Sequence, residues 1–399
     1  MISELLNTVQ HYSWGSHTAL AALRGEPTPT ARPEAELWMG AHPLAPSRLA
    51  ATGQSLPEAI EQAPESYLGA AVLGEYGARL PFLLKVLAAA APLSLQAHPS
   101  PSQAAAGFAA DEAAGIPLSS PVRNYKDQAH KPELLCALGE FWALCGFREV
   151  SDTLELLDEL GLDGLLPYRT LLAAEPNQVG ISKAFAALMQ APAPARKTLA
   201  ELTAAACQAR VGQNSRFADE LAWAARLGQL YPGDVGVVSA LLMNLVRLEA
   251  GQAVYLPAGN LHAYLGGTGV EIMASSDNVL RGGLTPKHVN VPELLQVLDF
   301  RPLRPKPLCA VTHAQEHAYE TPAREFRLSY FDLTADKVTL SVDGPEIWLV
   351  TAGTGRLEST AGVPQELGQG RSAFVPADTG QLRISGNGRI FRARVAHPP

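Results

Sequence analysis

Apolar positions fall into three textures along the chain. Over residues 1–100 short apolar segments alternate with glycine and proline, and GARLPFLLKVLAAAAPLSLQAHPS reads as strands joined by turns. Its most apolar stretch, Pro81 to Leu95, contains Lys85 and Pro92 and predicts a buried strand. It falls short of the ~18 uninterrupted apolar residues of a membrane helix. From about residue 150 to 247 the apolar spacing becomes three and four. SDTLELLDELGLDGLL, KAFAALMQ, ARKTLAELTAAACQAR and FADELAWAARLGQL, rich in Ala, Leu, Glu and Arg, predict helices. PGDVGVVSALLMNLVRL predicts one more, with Asp234 as its N-cap. From Leu248 the β pattern returns and runs nearly to the C-terminus.

Two local signals sharpen this pattern. Ser100, Pro101 and Gln103 have the form of a capping box with proline in the first turn, so a helix starts just after Gln96-Ala-His98. Residues 251–259 read GQAVYLPAG and residues 370–378 read GRSAFVPAD, a strand–turn unit used twice. The first copy continues to His262, and the second continues TGQLRI without a histidine. The repeat predicts two barrels, one with a metal and one without.

Composition narrows the field. A chain of 399 residues exceeds one ordinary core and implies two or three domains. The formal net charge is −8 with no basic block, against nucleic acid or an anionic membrane as partner. A small anionic substrate stays open, because a local basic pocket can exist on an acidic protein. The opening MISELLNTVQHYSWGS lacks the form of a signal peptide. Cys136, Cys145, Cys207 and Cys309 are scattered without a CxxC pair. Both features predict a cytoplasmic protein with reduced thiols.

The chemistry concentrates on a few side chains. Gln96 and His98 are two apart, which on a strand turns both to one face. Gly251-x5-Pro257-x-Gly259-x2-His262 is the second motif of the cupin superfamily. The first cupin motif usually has His-x-His and a nearby Glu; here Gln96 replaces the first His. The carboxylate is supplied further on, by Glu133 in NYKDQAHKPELLCAL. For His98 alone, a satisfied core histidine is the simpler reading; the four together, in these contexts, read as a metal site.

Seven segments in order carry a narrower resemblance: QHYSWGS, ELWMGAHP, QAHPS, NYKDQAHKPE, FWALCGFR, PAGNLHAYL and SSDNVLRGGLTPKHV. They resemble the type I mannose-6-phosphate isomerase family over roughly residues 5–300, with a family-like C-terminal barrel beyond. The resemblance implies one Zn²⁺ per chain on Gln96, His98, Glu133 and His262. It implies a mainly β fold with a helical insertion, built on cupin-type jelly-roll barrels. The expected division is a catalytic barrel in two parts (1–100 and 248–305), an insertion carrying the Glu ligand (101–149), a helical domain (150–247) and a degenerate C-terminal barrel (306–399).

The implied reaction interconverts mannose 6-phosphate and fructose 6-phosphate through a cis-enediol. It needs a ring-opening group, a base for the carbon-bound hydrogen, a stabiliser of enediolate charge and a phosphate anchor. Arg281 matches the family's catalytic arginine and fits either of the last two roles. Asp277, Lys131 and His130 are the proton-transfer candidates. Lys85, Ser94, Lys131 and Lys287 are expected phosphate or sugar contacts, Trp14 a pocket wall, and Glu36 and Glu271 polar contacts. A sugar phosphate is the expected partner, and nothing requires more than a monomer. The alternatives are an iron-dependent cupin oxygenase, disfavoured by the Gln ligand, and a non-catalytic metal-containing sugar-binding or regulatory cupin, which would not need Arg281, Lys131 and Asp277 together.

Overall fold

The computed structural model describes residues 1–334, 336–360 and 362–396; the last three positions of the expected C-terminal barrel lie outside it. The chain is mainly β, in two antiparallel sheets of eleven and ten strands, with a helical stretch inserted between strands of the first.

One strand organises the eleven-stranded sheet. His262–Ala274 pairs with Leu95–Ala97 and Phe141–Phe147 over its first residues, then with Phe82–Ala89 and Glu133–Ala137 over the rest. The exchange of neighbours falls at Gly266-Gly267. Gly267 has φ 124°, and a Cβ there would meet the Glu140 carbonyl oxygen at 2.6 Å. A glycine at this corner lets a single strand bend from one wall of the barrel to the other. The ten-stranded sheet has its own long strand, Gly380–Arg394, which pairs with Arg327–Leu333, Val338–Val342 and Glu346–Ser359. Both copies of the sequence repeat build the same unit. Gln252–Leu256 and Ser372–Val375 each run into a Pro-Ala turn and then into the long strand of their barrel.

The helical stretch covers the outside of the eleven-stranded sheet. Along Leu95–Ala97 the side chains alternate, so Leu95 and Ala97 are buried outward while Gln96 faces the barrel. Leu95, Phe147, Leu261 and Leu265 pack with Leu156, Phe185, Leu188 and Leu221 from the helices into one cluster. Truncating one such buried leucine to alanine costs about 2–5 kcal/mol. Among the described residues no helix is long and apolar enough to cross a membrane. All four cysteines are free, and Cys309 alone is exposed.

Four expectations need correction. Ser3–Leu6 and Arg48–Leu49, expected in the catalytic barrel, belong to the other sheet, where Ser3–Leu6 covers the free edge of Ser372–Val375 and Arg48–Leu49 pairs with the far side of Ser3–Leu6. Leu56–Gln62 and Pro64–Tyr76 are helices within a region read as strands and turns; Ser55 and Glu58 form a full capping box with Pro57 in the first turn. Glu133 does not sit on an insertion. It opens Glu133–Ala137, a fully buried strand between Gln252–Leu256 and His262–Ala274. The last expected helix stops early: only Gly236–Leu241 is helical, Val235 holds its N-cap position without a side-chain cap while Asp234, the expected cap, accepts the Gly236 N–H, and Met243–Leu248 pairs as a strand with Phe141–Phe147.

Candidate metal centre and substrate cavity

Strand register brings the ligand set together. Gln96 is paired on one side with His262 and on the other with Arg281. Directly opposed residues on antiparallel strands share a face, so His262, Gln96 and Arg281 form one row. His98, two residues after Gln96, turns to the same side. Glu133 reaches into the group from the start of its own strand. Its Oε1 lies 3.3 Å from His98 Nε2 and its Oε2 3.4 Å from His262 Nε2. The two imidazole centroids are 5.1 Å apart.

The imidazoles are held in one tautomer. His98 Nδ1 lies 2.6 Å from the Asn278 carbonyl and His262 Nδ1 3.0 Å from the Asn260 carbonyl. A carbonyl can only accept, so each Nδ1 carries the hydrogen and each Nε2 is the nitrogen left to face a ligand. Burial pushes the His98 pKa down to about 4, against the pull of Glu133. Burial opposes ionisation of Glu133 too, but the Lys131 ammonium, 3.1 Å away, leads the influences that outweigh it and hold the carboxyl well below its usual range. The result is an electrostatic conflict. His98 Nε2, His262 Nε2 and Glu133 Oε2 are buried, converge within 4.8 Å of one another, and have no hydrogen-bond partner. Unmatched buried acceptors are costly. A cation removes the conflict, and two imidazole nitrogens with one carboxylate oxygen are a donor set that suits Zn²⁺. Gln96, next to His262 in the ladder, is placed to add an amide oxygen.

A cavity of about 580 Å³ opens over this centre, and Gln96, Lys131, Asp277 and Arg281 line it. Its floor is a compensated charge cluster. Lys85 Nζ lies 3.4 Å from Glu271 and 3.7 Å from Glu36, and 5.1 Å from the Trp38 ring centre. Burial lowers the Lys85 pKa, but Glu36, Glu271 and Glu133 more than reverse this and the group is held cationic. Burial raises the Glu271 pKa even so. Two other cations on the lining have no acidic partner among the described residues: Arg281 and Lys287. Burial lowers the pKa of both, and the Arg281 charge lowers Lys287 further, so the two are close.

The sequence relatives agree with this geometry. The family model for phosphomannose isomerase type I, catalytic domain, matches residues 2–150. The mannose-6-phosphate isomerase of Salmonella typhimurium is 39% identical over 398 residues, covering 98% of this chain and 99% of that protein. The chain belongs to the type I mannose-6-phosphate isomerase family. The Escherichia coli mannose-6-phosphate isomerase is 38% identical over 399 residues, with 98% and 99% covered. A zinc-bound crystal structure of mannose 6-phosphate isomerase, 38% identical, superposes with a TM-score of 0.91 over 99% of this chain and 100% of that one. The cupin-type fold of the family, with its central helical region, is therefore the fold of this chain.

Within this mannose-6-phosphate isomerase fold, most of the expected site residues meet. Trp14, Glu36, Lys85, Ser94, Lys131, Asp277, Arg281 and Lys287 line the same cavity as Gln96, and His98, Glu133 and His262 lie buried beneath it. Two do not reach it. His130 is turned away, its Nε2 2.6 Å from Glu325 on the approach to Arg327–Leu333. Glu271 is below the floor, bonded by the Tyr264 hydroxyl at 2.8 Å. Two residues were missed. His42 is buried, accepts the Leu44 N–H at Nδ1 and so donates from Nε2 to Asp277 at 3.2 Å. Burial opposes ionisation of Asp277, but this bond holds its pKa below the usual value. Asn278, fully buried, presents the carbonyl that orients His98, while its amide is pinned to the carbonyls of Asp127 and Ala129. Sequence showed only an Asp-Asn pair there, which reads as turn chemistry.

Proposed function

We infer that this chain interconverts mannose 6-phosphate and fructose 6-phosphate through a cis-enediol, with one zinc ion held by Gln96, His98, Glu133 and His262. The observation that carries the reading is the convergence of three unmatched acceptors just beneath a cavity lined by two cations that have no acidic partner among the described residues. Bound zinc supplies a Lewis acid toward the sugar oxygens. The remaining steps fall to side chains. Lys85 is already neutralised by Glu36 and Glu271, so it serves the floor rather than the phosphate. Arg281 and Lys287 are uncompensated, and the phosphate of the substrate fits against them. Arg281, beside Gln96 in the ladder, is also near enough to the metal centre to stabilise enediolate charge. Asp277, kept ionised, is the proton acceptor at hand, and Lys131, bonded to Glu133, the donor. His130, occupied by Glu325, is not assigned a proton-transfer step.

Every residue of the site comes from one chain, so a monomer suffices. Four free thiols fit a cytoplasmic enzyme. The test is a coupled assay of fructose 6-phosphate formation from mannose 6-phosphate, before and after chelation. Turnover by the zinc-replete protein and its loss with the metal are expected. No turnover by the zinc-replete protein would favour a metal-containing sugar binder instead. Turnover that survives confirmed metal loss would remove zinc from the reaction.

A further inference from the structure

One turn of the helical stretch reaches the cavity. It runs from Tyr231 to Asp234, between Ala218–Leu230 and Gly236–Leu241, and it grips both rims. Tyr231, itself on the lining, donates its hydroxyl to the Pro92 carbonyl at 2.6 Å, on the rim that continues to Ser94. Asp234 holds the opposite rim. Its Oδ1 accepts the Leu284 N–H at 2.8 Å and the Gly236 N–H at 2.7 Å, and its Oδ2 accepts the Thr285 N–H at 3.1 Å. No cation pairs with Asp234 among the described residues, so its charge acts on the backbone of the loop that carries Lys287.

The conformation of that loop depends on the grip. Leu284 has φ 54°, in the left-handed region that a leucine seldom occupies. The two backbones approach as closely as glycines allow. A Cβ on Gly236 would meet Leu284 N at 2.7 Å, and one on Gly283 would meet Gly236 Cα at 2.9 Å. Without Asp234 the loop is free to relax toward an ordinary backbone, taking Thr285, Pro286 and Lys287 off the cavity wall.

We propose that Asp234 is a positioning residue for the substrate's phosphate: it fixes Leu284–Lys287 so that Lys287, together with Arg281, meets that phosphate. The proposal rests on the reading of Arg281 and Lys287 given above. Its test compares Asp234→Ala, Asp234→Asn and Lys287→Ala in steady-state kinetics with mannose 6-phosphate, using inorganic phosphate as a competitive inhibitor. Asp234→Ala raises the substrate KM and the phosphate KI together by about 10-fold, close to 1.4 kcal/mol. Its kcat changes by less than about 3-fold, the pattern of lost binding rather than lost chemistry, and its zinc content is unchanged. Asp234→Asn keeps Oδ1 but sets an amide donor against the Thr285 N–H, so its KM and KI fall in between. A fall in kcat with KM and KI unmoved overturns the proposal. An unmoved KI in Lys287→Ala overturns the phosphate reading beneath it. A raised KI in Lys287→Ala with none in Asp234→Ala overturns the positioning role alone. Where Asp234→Ala does not fold, Asp234→Asn decides: wild-type KM and KI in that variant overturn the proposal.

Discussion

Glu133 and Glu346 stand at matching places in the two barrels. Each follows a proline, Pro132 or Pro345, and opens its strand. Each pairs with the residue before a Pro-Ala turn, Leu256 or Val375, and each strand adjoins the long strand of its barrel. Both carboxylates are buried, with 2% and 1% exposure. Their surroundings differ. Glu346 is satisfied by its own barrel: the Arg392 guanidinium bonds one oxygen, and the Trp348 indole N–H donates to the other at 2.8 Å. Arg392 also lies 3.4 Å from Glu316. Glu133 instead faces two imidazole Nε2 atoms, and one of its oxygens has no donor. His262 stands eleven residues after Gly251, and the residue eleven after Gly370 is the exposed Gln381. Where Lys131 precedes Pro132, Gly344 precedes Pro345. One buried carboxylate is answered on both oxygens from within its barrel; the other has Lys131 on one oxygen and keeps the second without a donor, the arrangement a metal ligand calls for.

Breaking the two carboxylate sites should give opposite phenotypes. The largest effect belongs to Glu133→Gln. Losing a direct ligand exceeds the roughly 10–100-fold cost of losing an outer partner, so both turnover and zinc content, read by coupled assay and elemental analysis, should collapse. Arg392→Met should act only on the fold. It leaves Glu346 uncompensated, and unfolding in denaturant should show a loss of about 3–5 kcal/mol with zinc content and kcat retained. Zinc-free Arg392→Met without turnover would erase the contrast.

Metal linkage is the next effect in size. Free zinc at about 100 times its Kd should add about 2.7 kcal/mol to the stability of the wild-type chain and none to Glu133→Gln. An equal gain in both would place the ion elsewhere. The smallest effect concerns pH. Asp277 has a depressed pKa, so its ionised form prevails above the usual carboxylate value and is lost as pH falls through the lowered one. His42→Leu removes the main influence that lowers it, and the acid limb of kcat/KM should move to higher pH. An unmoved limb would detach Asp277 from proton transfer.

Legibility followed the range of the contacts. Gln96 lies on Leu95–Ala97 with His98 directly after it, and His262 ends a turn with its own spacing, so local pattern reached all three. Glu133 was found through the residues around it, but its strand was misplaced, because the pairing with Leu256 and Met273 is set by distant segments. His42 and His130 illustrate the limit. Each is decided by one carboxylate, 235 and 195 residues away, and no local spacing encodes that. Met243–Leu248 has apolar residues compatible with both helical and strand periods, and its pairing with Phe141–Phe147 settled it. The capping box at Ser55 was readable in the same way as that at Ser100 and was passed over.

The pairing of Ser3–Leu6 with Ser372–Val375 has a consequence for biosynthesis. Roughly 370 residues separate the two strands, and ribosomes add about 5–20 residues per second, so the early strand waits on the order of 20–70 s for its partner. During that interval it is an unpaired edge with apolar Ile2 and Leu5 uncovered, open to chaperones or to other nascent chains. Completion of the C-terminal barrel is thus a late event that closes the molecule on its own beginning.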